Sequence, residues 1–190
     1  MPLFKLKKSG GPRDLEVSMA GLKLGSRVLQ AAGDGELIAA MAAAVGLSGR
    51  ACALVGDRGG GEAFERAAAR AGVLIEIEVA PSTALPYEPD SFDLVTFKDA
   101  LGAMRPNERV PTLQEARRVL RVGGRCLVIE RSPRGGLGAL FSRQPLDRQY
   151  AGGGAVTALR AEGFRGVRVL SERDGLRFTE GTKPAQETGP

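Results

Sequence analysis

The stretch that decides the fold reads TALPYEPDSFDLVTFKDAL from Thr83 to Leu101 and EARRVLRVGGRCLVIE from Glu115 to Glu130. Two apolar runs of strand length, FDLVTFKD and RCLVIE, enclose a helical pattern, PTLQEARRVLRVGG. We expect the glycine pair Gly123 and Gly124 to end this helix and return the chain to the sheet. A strand, a helix and a second strand in this order predict a right-handed βαβ unit with parallel strands.

The same alternation extends from this unit in both directions. Toward the N-terminus, the strand-like runs RVLQAA, ACALVGD and LIEIEVA alternate with the helical patterns ELIAAMAAAVG and GEAFERAAARAG, after a short predicted helix in DLEVSMAGLKLGS. Toward the C-terminus, a long irregular connection precedes a helix in AVTALRAEGF and two strands, RGVRVLSER and LRFTEGT. The chain therefore predicts an α/β fold, a Rossmann-like, doubly wound, mostly parallel sheet with helices on both faces.

The length and hydrophobic content suit one domain. The chain has 190 residues, of which 43% are hydrophobic. We expect an N-terminal segment over residues 1–20, the domain over residues 21–182 and a disordered tail over residues 183–190.

The absence of histidine is the most restrictive feature of the composition. It excludes Ser-His-Asp and Cys-His catalysis and the HExxH zinc sites. Cys52 and Cys126 lie in apolar runs without ligand-like neighbours, so we expect reduced core thiols and no metal. The chemistry that remains uses carboxylates, lysines or a bound cofactor.

Charge and hydropathy indicate which partners are compatible with the chain. The formal charge of +5 comes from basic residues spread along the sequence, so it permits an anionic partner without requiring one. Arginines in the connection after the fifth strand raise RNA as a partner, but two tyrosines and no tryptophan leave few stacking surfaces, so RNA ranks last. With no segment of membrane-spanning character and no signal peptide pattern, we expect a cytoplasmic protein.

The paired segments Thr83–Leu101 and Glu115–Glu130 resemble the class I S-adenosylmethionine-dependent methyltransferases, especially the small-molecule branch that includes quinone-biosynthesis methyltransferases. In that family an LPF-like turn, the strand SFDLV, an E-x-x-RVL-x-PGG helix end and a fifth strand follow in this order. The resemblance implies the class I methyltransferase fold, S-adenosylmethionine as cofactor and a small-molecule methyl acceptor. Methyl transfer from a sulfonium has an excellent leaving group, so approximation and desolvation accelerate it without a histidine.

The turn after the first strand departs from the pattern that this family implies. The family reads D-x-G-x-G-x-G, whereas QAAGDGE has Gln30 for the acid, lacks the first glycine and is one residue shorter. The resemblance makes Ala32, Gly33 and Gly35 the cofactor-binding positions. A plain strand-to-helix turn explains the same residues equally well.

The ends of the second and third strands carry the next candidates. Asp57 matches the family's acid that accepts both ribose hydroxyls; alternatively it caps the helix that we expect to begin near Glu62. Pro81 replaces the acid that meets the adenine amino group. Contact with the base then falls to backbone atoms of Thr83 and Ala84.

Two charged residues follow the fourth strand. We expect Lys98 to be a cofactor-binding residue that also holds an anionic substrate, and Asp99 to act as a general base or to orient an acceptor hydroxyl. Ordinary loop charges are the equal alternative for both. No catalytic residue can be assigned.

The sequence therefore supports two functions. The first is a methyltransferase that acts on a small or lipid-like acceptor. The second is a non-catalytic member of the same fold, with weakened cofactor binding, that serves as an interaction or regulatory module. Gln30, the missing first glycine and Pro81 favour the second. The sequence determines neither the acceptor nor the oligomeric state.

Overall fold

A computed structural model describes residues 13–132 and 148–185, which form a seven-stranded sheet with helices on both faces. The strand order is β3-β2-β1-β4-β5-β7-β6. The helices are α1 (Asp14–Ala20), α2 (Gly35–Val45), α3 (Arg58–Ala71), α4 (Pro106–Val119) and α5 (Arg148–Ala161). The strands are β1 (Arg27–Ala32), β2 (Arg50–Val55), β3 (Glu76–Val79), β4 (Phe92–Lys98), β5 (Leu120–Arg131), β6 (Arg165–Arg173) and β7 (Leu176–Thr182).

The pairing of the strands confirms the predicted doubly wound sheet. Strands β1 to β5 pair in parallel, and β7 lies antiparallel between β5 and β6. Strand β1 pairs with β2 on one side and with β4 on the other, so the order of the chain reverses there. Ligands of open α/β sheets bind at the carboxyl ends of the strands beside such a reversal.

Each face of the sheet has its own core. One core joins α4 and α5 to β-strand residues such as Leu29 and Phe97. The other joins α1, α2 and α3 to residues such as Val28 and Leu94. Helix α1 ends at Ala20, and Gly21 after it has the left-handed conformation that is common beyond a helix C-terminus. Both cysteines are buried and free.

The prediction for the glycine pair after α4 is wrong. The helix ends at Val119, and both glycines lie within β5, where the register against β4 shifts between the pairs Phe92↔Leu120 and Leu94↔Arg125. Gly123 has φ +74, and a Cβ on Gly124 would lie 2.8 Å from the Arg121 carbonyl oxygen. The pair therefore forms a strand irregularity that a larger residue would not fit.

The C-terminal half differs from the prediction in one helix boundary. Helix α5 begins at Arg148, seven residues before the predicted AVTALRAEGF helix, and has a kink at Gly154, whose φ is 57. Strands β6 and β7 match their predicted segments. Most of the predicted irregular connection, and residues 186–190 of the predicted tail, lie outside the described residues. Lys183, where the sequence predicts the disordered tail to begin, donates to the Leu120 carbonyl oxygen at 2.6 Å, so that residue belongs to the ordered fold.

Helix α4 holds the turn that precedes β4. Glu115 Oε2 accepts a hydrogen bond from the Leu85 amide at 2.8 Å. Arg118 donates to the carbonyl oxygens of Leu85 at 2.9 Å and Tyr87 at 2.8 Å, and to Glu115 itself. The E-x-x-R spacing and the Leu-Pro-Tyr turn therefore form one structural unit, which explains why the two segments occur together.

We expect Glu115→Gln to lower the free energy of unfolding by about 1 kcal/mol at pH 7, because a charge-assisted hydrogen bond to Arg118 is weakened. That hydrogen bond lowers the pKa of Glu115. The stabilisation is therefore complete above the unfolded carboxyl pKa of about 4.3 and is lost as the pH falls through the lower folded pKa. Urea unfolding of both proteins from pH 7 to pH 3 measures the difference. A difference that does not shrink in acid would contradict this account; the exposed Glu65→Gln on α3 is the control.

A second prediction concerns Tyr87, whose ring meets Phe92 edge to face with centroids 4.9 Å apart. Its buried hydroxyl makes no hydrogen bond of standard geometry to a described residue, and the weakly polar thiol of Cys52 interacts with it. We expect Tyr87→Phe to raise the free energy of unfolding by about 1 kcal/mol, because it removes an unsatisfied buried group and keeps the ring contact. Thermal unfolding measures the change, and a lower melting temperature for the variant would overturn the assignment.

Candidate functional site

The candidate site lies where β1, β2 and β4 end at the carboxyl edge of the sheet. Its centre is the turn between β1 and α2, at the reversal of strand order. The residues predicted from the sequence lie in the turns after β1, β2 and β3. Lys98 lies at the end of β4.

The two glycines of the β1 turn each have a packing role. An added Cβ on Gly33 would lie 2.6 Å from Cδ of Gln30, whose fully buried side chain runs beneath the turn. An added Cβ on Gly35 would lie 3.0 Å from Cα of Phe64 and from the Ala63 carbonyl oxygen on α3. Gly33 thus accommodates Gln30, and Gly35 permits close contact between α2 and α3. The half-buried Ala32 packs on the core. Cofactor contact by these three residues stays a prediction.

Gln30 leaves one buried oxygen unsatisfied. Its Nε2 donates to the Asp34 carbonyl oxygen at 3.0 Å, while Oε1 has no partner among the described residues. Thr96, opposite Gln30 in the register of β1 and β4, is also fully buried, and its Oγ1 is likewise unpartnered within that part of the chain. Two neighbouring strands, β1 and β4, therefore each hold a buried oxygen without a hydrogen-bond partner. Such oxygens are rare in folded proteins, because each one destabilises the fold by about 1–3 kcal/mol.

Four charged side chains, Arg13, Glu16, Asp34 and Lys98, form a charge cluster over the start of α2. Asp34 caps this helix through the Leu37 amide at 2.9 Å and also accepts from Lys98 Nζ at 2.9 Å and from Arg13 at 3.0 Å. Glu16, only 4% exposed, accepts from Arg13 at 2.9 Å and from Lys98 at 3.4 Å. Two acids and two cations thus alternate across α1, the turn and β4.

The surroundings of Asp34 keep it ionised. Burial acts to raise its pKa, but hydrogen bonds from Lys98 and the Leu37 amide, with Arg13 close by, hold the pKa below the ordinary value. Lys98 thus contacts the β1 turn through Asp34, and its contact with a cofactor stays a prediction. The sequence analysis missed Arg13 and Glu16. A signal was present, because Glu16 lies four residues from Ala20 on the buried face of α1.

Asp57 caps α3, which begins four residues earlier than predicted. Its Oδ1 accepts from the Gly60 amide at 2.8 Å. Oδ2 accepts no hydrogen bond from a described residue, and the side chain is exposed. The capping role is therefore observed, and the ribose role stays a prediction that the free oxygen permits.

The turn after β3 brings no acid to the site. Pro81 and Ala84 are exposed, Thr83 is half-buried, and the Ala84 amide donates to the Pro81 carbonyl at 3.1 Å. The amide of Ala84 is thus already used, so base contact by Thr83 and Ala84 stays a prediction.

Asp99 connects the ends of β4 and β5. It has φ 51, a left-handed conformation that aspartate adopts more readily than most residues other than glycine. Its amide donates to the Ile129 carbonyl at 2.9 Å, and its Oδ1 accepts from the Arg131 amide at 3.1 Å.

Three further residues, Arg109, Glu130 and Tyr150, meet at the end of β5, and the sequence analysis did not single them out. Tyr150 donates its hydroxyl to Glu130 Oε1 at 2.6 Å. The Arg109 guanidinium lies 4.5 Å from the Tyr150 ring centre and donates to the carbonyl oxygens of Leu101 and Met104. A cavity of about 240 Å³ between α4 and α5 adjoins Arg109 and Tyr150.

Two kinds of feature are absent from the part of the chain that the structure describes. No group of acidic, cysteine or histidine side chains in that part of the chain has the arrangement of a metal site. None of the helices described has the length and apolar character needed to cross a membrane.

Comparison with known proteins identifies the family. Residues 29–124, about half of the chain, match the family model described as a methyltransferase domain. A ubiquinone/menaquinone biosynthesis C-methyltransferase UbiE of Stenotrophomonas maltophilia is 36% identical over 119 residues, which are 60% of this chain and 46% of that protein. The chain thus spans about half the length of this relative.

Solved structures share the fold at low sequence identity. A candidate methyltransferase of Bacillus halodurans superposes with a TM-score of 0.69 at 17% identity, covering 93% of this chain and 100% of that one. An S-adenosylmethionine-dependent methyltransferase of Aquifex aeolicus also reaches 0.69 at 17% identity, covering 90% and 93%. With the family match, these findings show that the chain belongs to the class I S-adenosylmethionine-dependent methyltransferases, whose cofactor is S-adenosylmethionine.

Proposed function

We propose that the chain binds S-adenosylmethionine at the β1 turn and transfers its methyl group to a small or lipid-like acceptor of the quinol class. The observation that supports this proposal is the charge cluster. It lies where the order of the strands reverses, as do the unsatisfied buried oxygens of Gln30 and Thr96. The acceptor class comes from the name of the UbiE relative, to which the chain is similar over part of its length. We propose a cytoplasmic location, and we rank a nucleic-acid partner behind the small-molecule acceptor.

The residues of the β1 turn fit the amino-acid end of the cofactor. An ammonium group needs hydrogen-bond acceptors, and the buried Oε1 of Gln30 is an unsatisfied acceptor at the position of the family's acid. A carboxylate needs cations, which Arg13 and Lys98 supply. Glu16 and Asp34 balance those cations and hold them in place. Gln30 thus replaces the family's charged acceptor with a neutral one.

The end of β2 fits the sugar of the cofactor. Asp57 uses one carboxylate oxygen as a helix cap and leaves the other open to a hydroxyl donor. Bound at this edge, S-adenosylmethionine supplies an electrophilic methyl group. The chain supplies the groups that orient the cofactor, and orientation is a main contribution that this reaction requires.

A specific observation also favours the second candidate, a non-catalytic module. Every member of the charge cluster already has an oppositely charged partner within the chain, and Pro81 offers no acid to the adenine. A cluster satisfied in this way stabilises the unliganded fold. The two candidates differ in whether the cofactor binds at all.

The decisive variant at the site is Asp57→Ser. Serine retains the helix cap but cannot accept two ribose hydroxyls as a carboxylate does. We expect the dissociation constant for S-adenosylhomocysteine, measured by titration calorimetry, to rise about 10-fold while the melting temperature stays unchanged. Glu62→Ser, on the exposed side of α3, is the matched control. If Asp57→Ser bound S-adenosylhomocysteine as tightly as the wild-type protein does, Asp57 would serve only as a helix cap.

Transfer itself is tested with S-adenosylmethionine labelled in the methyl group and 1,4-dihydroxynaphthalene as a quinol probe. The proposal predicts label in the extracted probe, with a rate that depends on the concentration of both substrates. Measurable cofactor binding without labelling of this or other quinols would refute the acceptor class. Absence of cofactor binding at millimolar concentration would favour the non-catalytic module.

A further inference from the structure

Glu130 lies at the carboxyl edge of the sheet, one strand away from Lys98 and the charge cluster. It is the penultimate residue of β5, and its neighbour Ile129 pairs with Lys98 across β4 and β5. The Asp99 amide donates to the carbonyl oxygen of that same Ile129. An acceptor beside a cofactor on β1 and β4 would therefore meet the end of β5 next.

The carboxyl of Glu130 is half-buried and only partly satisfied. Oε1 accepts the Tyr150 hydroxyl at 2.6 Å, and no described residue donates to Oε2. Burial raises the pKa of Glu130, and nearby Asp99 acts in the same direction. The Tyr150 hydrogen bond and the charges of Arg177 and Arg109 oppose the rise without cancelling it. The carboxyl therefore holds a proton more strongly than an ordinary glutamate does.

Tyr150 and Arg109 hold this carboxyl in one position. Tyr150 is 5% exposed and Arg109 is 8% exposed, so neither side chain is free to move in solvent. Arg109 stacks on the Tyr150 ring and donates to Leu101 and Met104 in the loop after β4. The Glu130 carboxyl is thus the point where α4, α5, β5 and the loop after β4 come together.

The partly buried Glu130 carboxyl contributes little to the stability of the fold. A half-buried carboxyl with one unpaired oxygen stabilises a protein less than an apolar side chain of similar size would. Groups of this kind are concentrated at sites of proton transfer, where a carboxyl with raised proton affinity acts as a general base.

We infer that Glu130 is the proton acceptor of the methyl-transfer reaction, with Tyr150 and Arg109 as positioning residues; this inference rests on the proposed function. The attacking ring carbon or hydroxyl oxygen of the quinol forms a bond to the methyl group. The bond between sulfur and that methyl group breaks, and its electron pair stays on sulfur as a neutral thioether. The proton that the quinol loses goes to Oε2 of Glu130 and then to water, so no further reactant is needed.

The test measures methyl transfer to 1,4-dihydroxynaphthalene across pH 5 to 9 in the wild-type protein, Glu130→Gln and Tyr150→Phe. We expect Glu130→Gln to lower kcat at least about 100-fold while S-adenosylhomocysteine binds as tightly as to the wild-type protein. Glutamine keeps an acceptor for Tyr150 but cannot take a proton. Tyr87→Phe is the matched control for loss of a buried tyrosine hydroxyl, and we expect its turnover to be that of the wild-type protein.

Tyr150→Phe provides a readout that a purely structural role would not change. The Tyr150 hydrogen bond lowers the pKa of Glu130, so its removal raises that pKa further. We expect the rising acid limb of kcat against pH to move to higher pH. A Glu130→Gln turnover within threefold of the wild-type value, or an unmoved limb in a folded Tyr150→Phe protein, would overturn the inference. A wild-type protein that transfers no methyl group would instead refute the proposed function, and the inference with it.

Discussion

The carboxylate of Asp93 sets the register on which the site depends. One oxygen accepts the Arg27 amide at 2.7 Å, where β1 begins, and the other accepts Arg121 from β5. This tie holds β1 against β4 so that Gln30 lies opposite Thr96. A slip of one residue would turn every side chain of β1 to the opposite face of the sheet and remove Gln30 from beneath the turn.

With that register in place, the sheet edge carries two polar groups of different character. The charge cluster on the side of α1 and α2 is balanced by its own ion pairs, and these hold the pKa of Asp34 below its ordinary value. Glu130 on the side of α4 and α5 lies in a less polar setting that raises its pKa. A permanent charge balance suits the binding of a charged cofactor, whereas a carboxyl with raised proton affinity suits the handling of a proton.

The sequence was sufficient for the fold, because short apolar runs of strand length alternate with longer helical patterns along the chain. It was not sufficient for the glycines. Gly123 and Gly124 follow a helical pattern, but only the register of β5 against β4 shows that they belong to the strand. Gly33 and Gly35 match a cofactor pattern, yet their packing against Gln30 and α3 becomes visible only in three dimensions. Arg109, Glu130 and Tyr150 are far apart in sequence, so no local pattern could group them.

The proposed function requires the β1 turn to bind S-adenosylmethionine. A crystal structure of the protein grown with S-adenosylhomocysteine tests this most directly. We predict the ligand at the carboxyl edge, with its ribose hydroxyls on Asp57, its ammonium group on Gln30 and its carboxylate between Arg13 and Lys98. Crystals grown at saturating ligand whose charge cluster keeps its internal pairs, with no ligand over the turn, would contradict it.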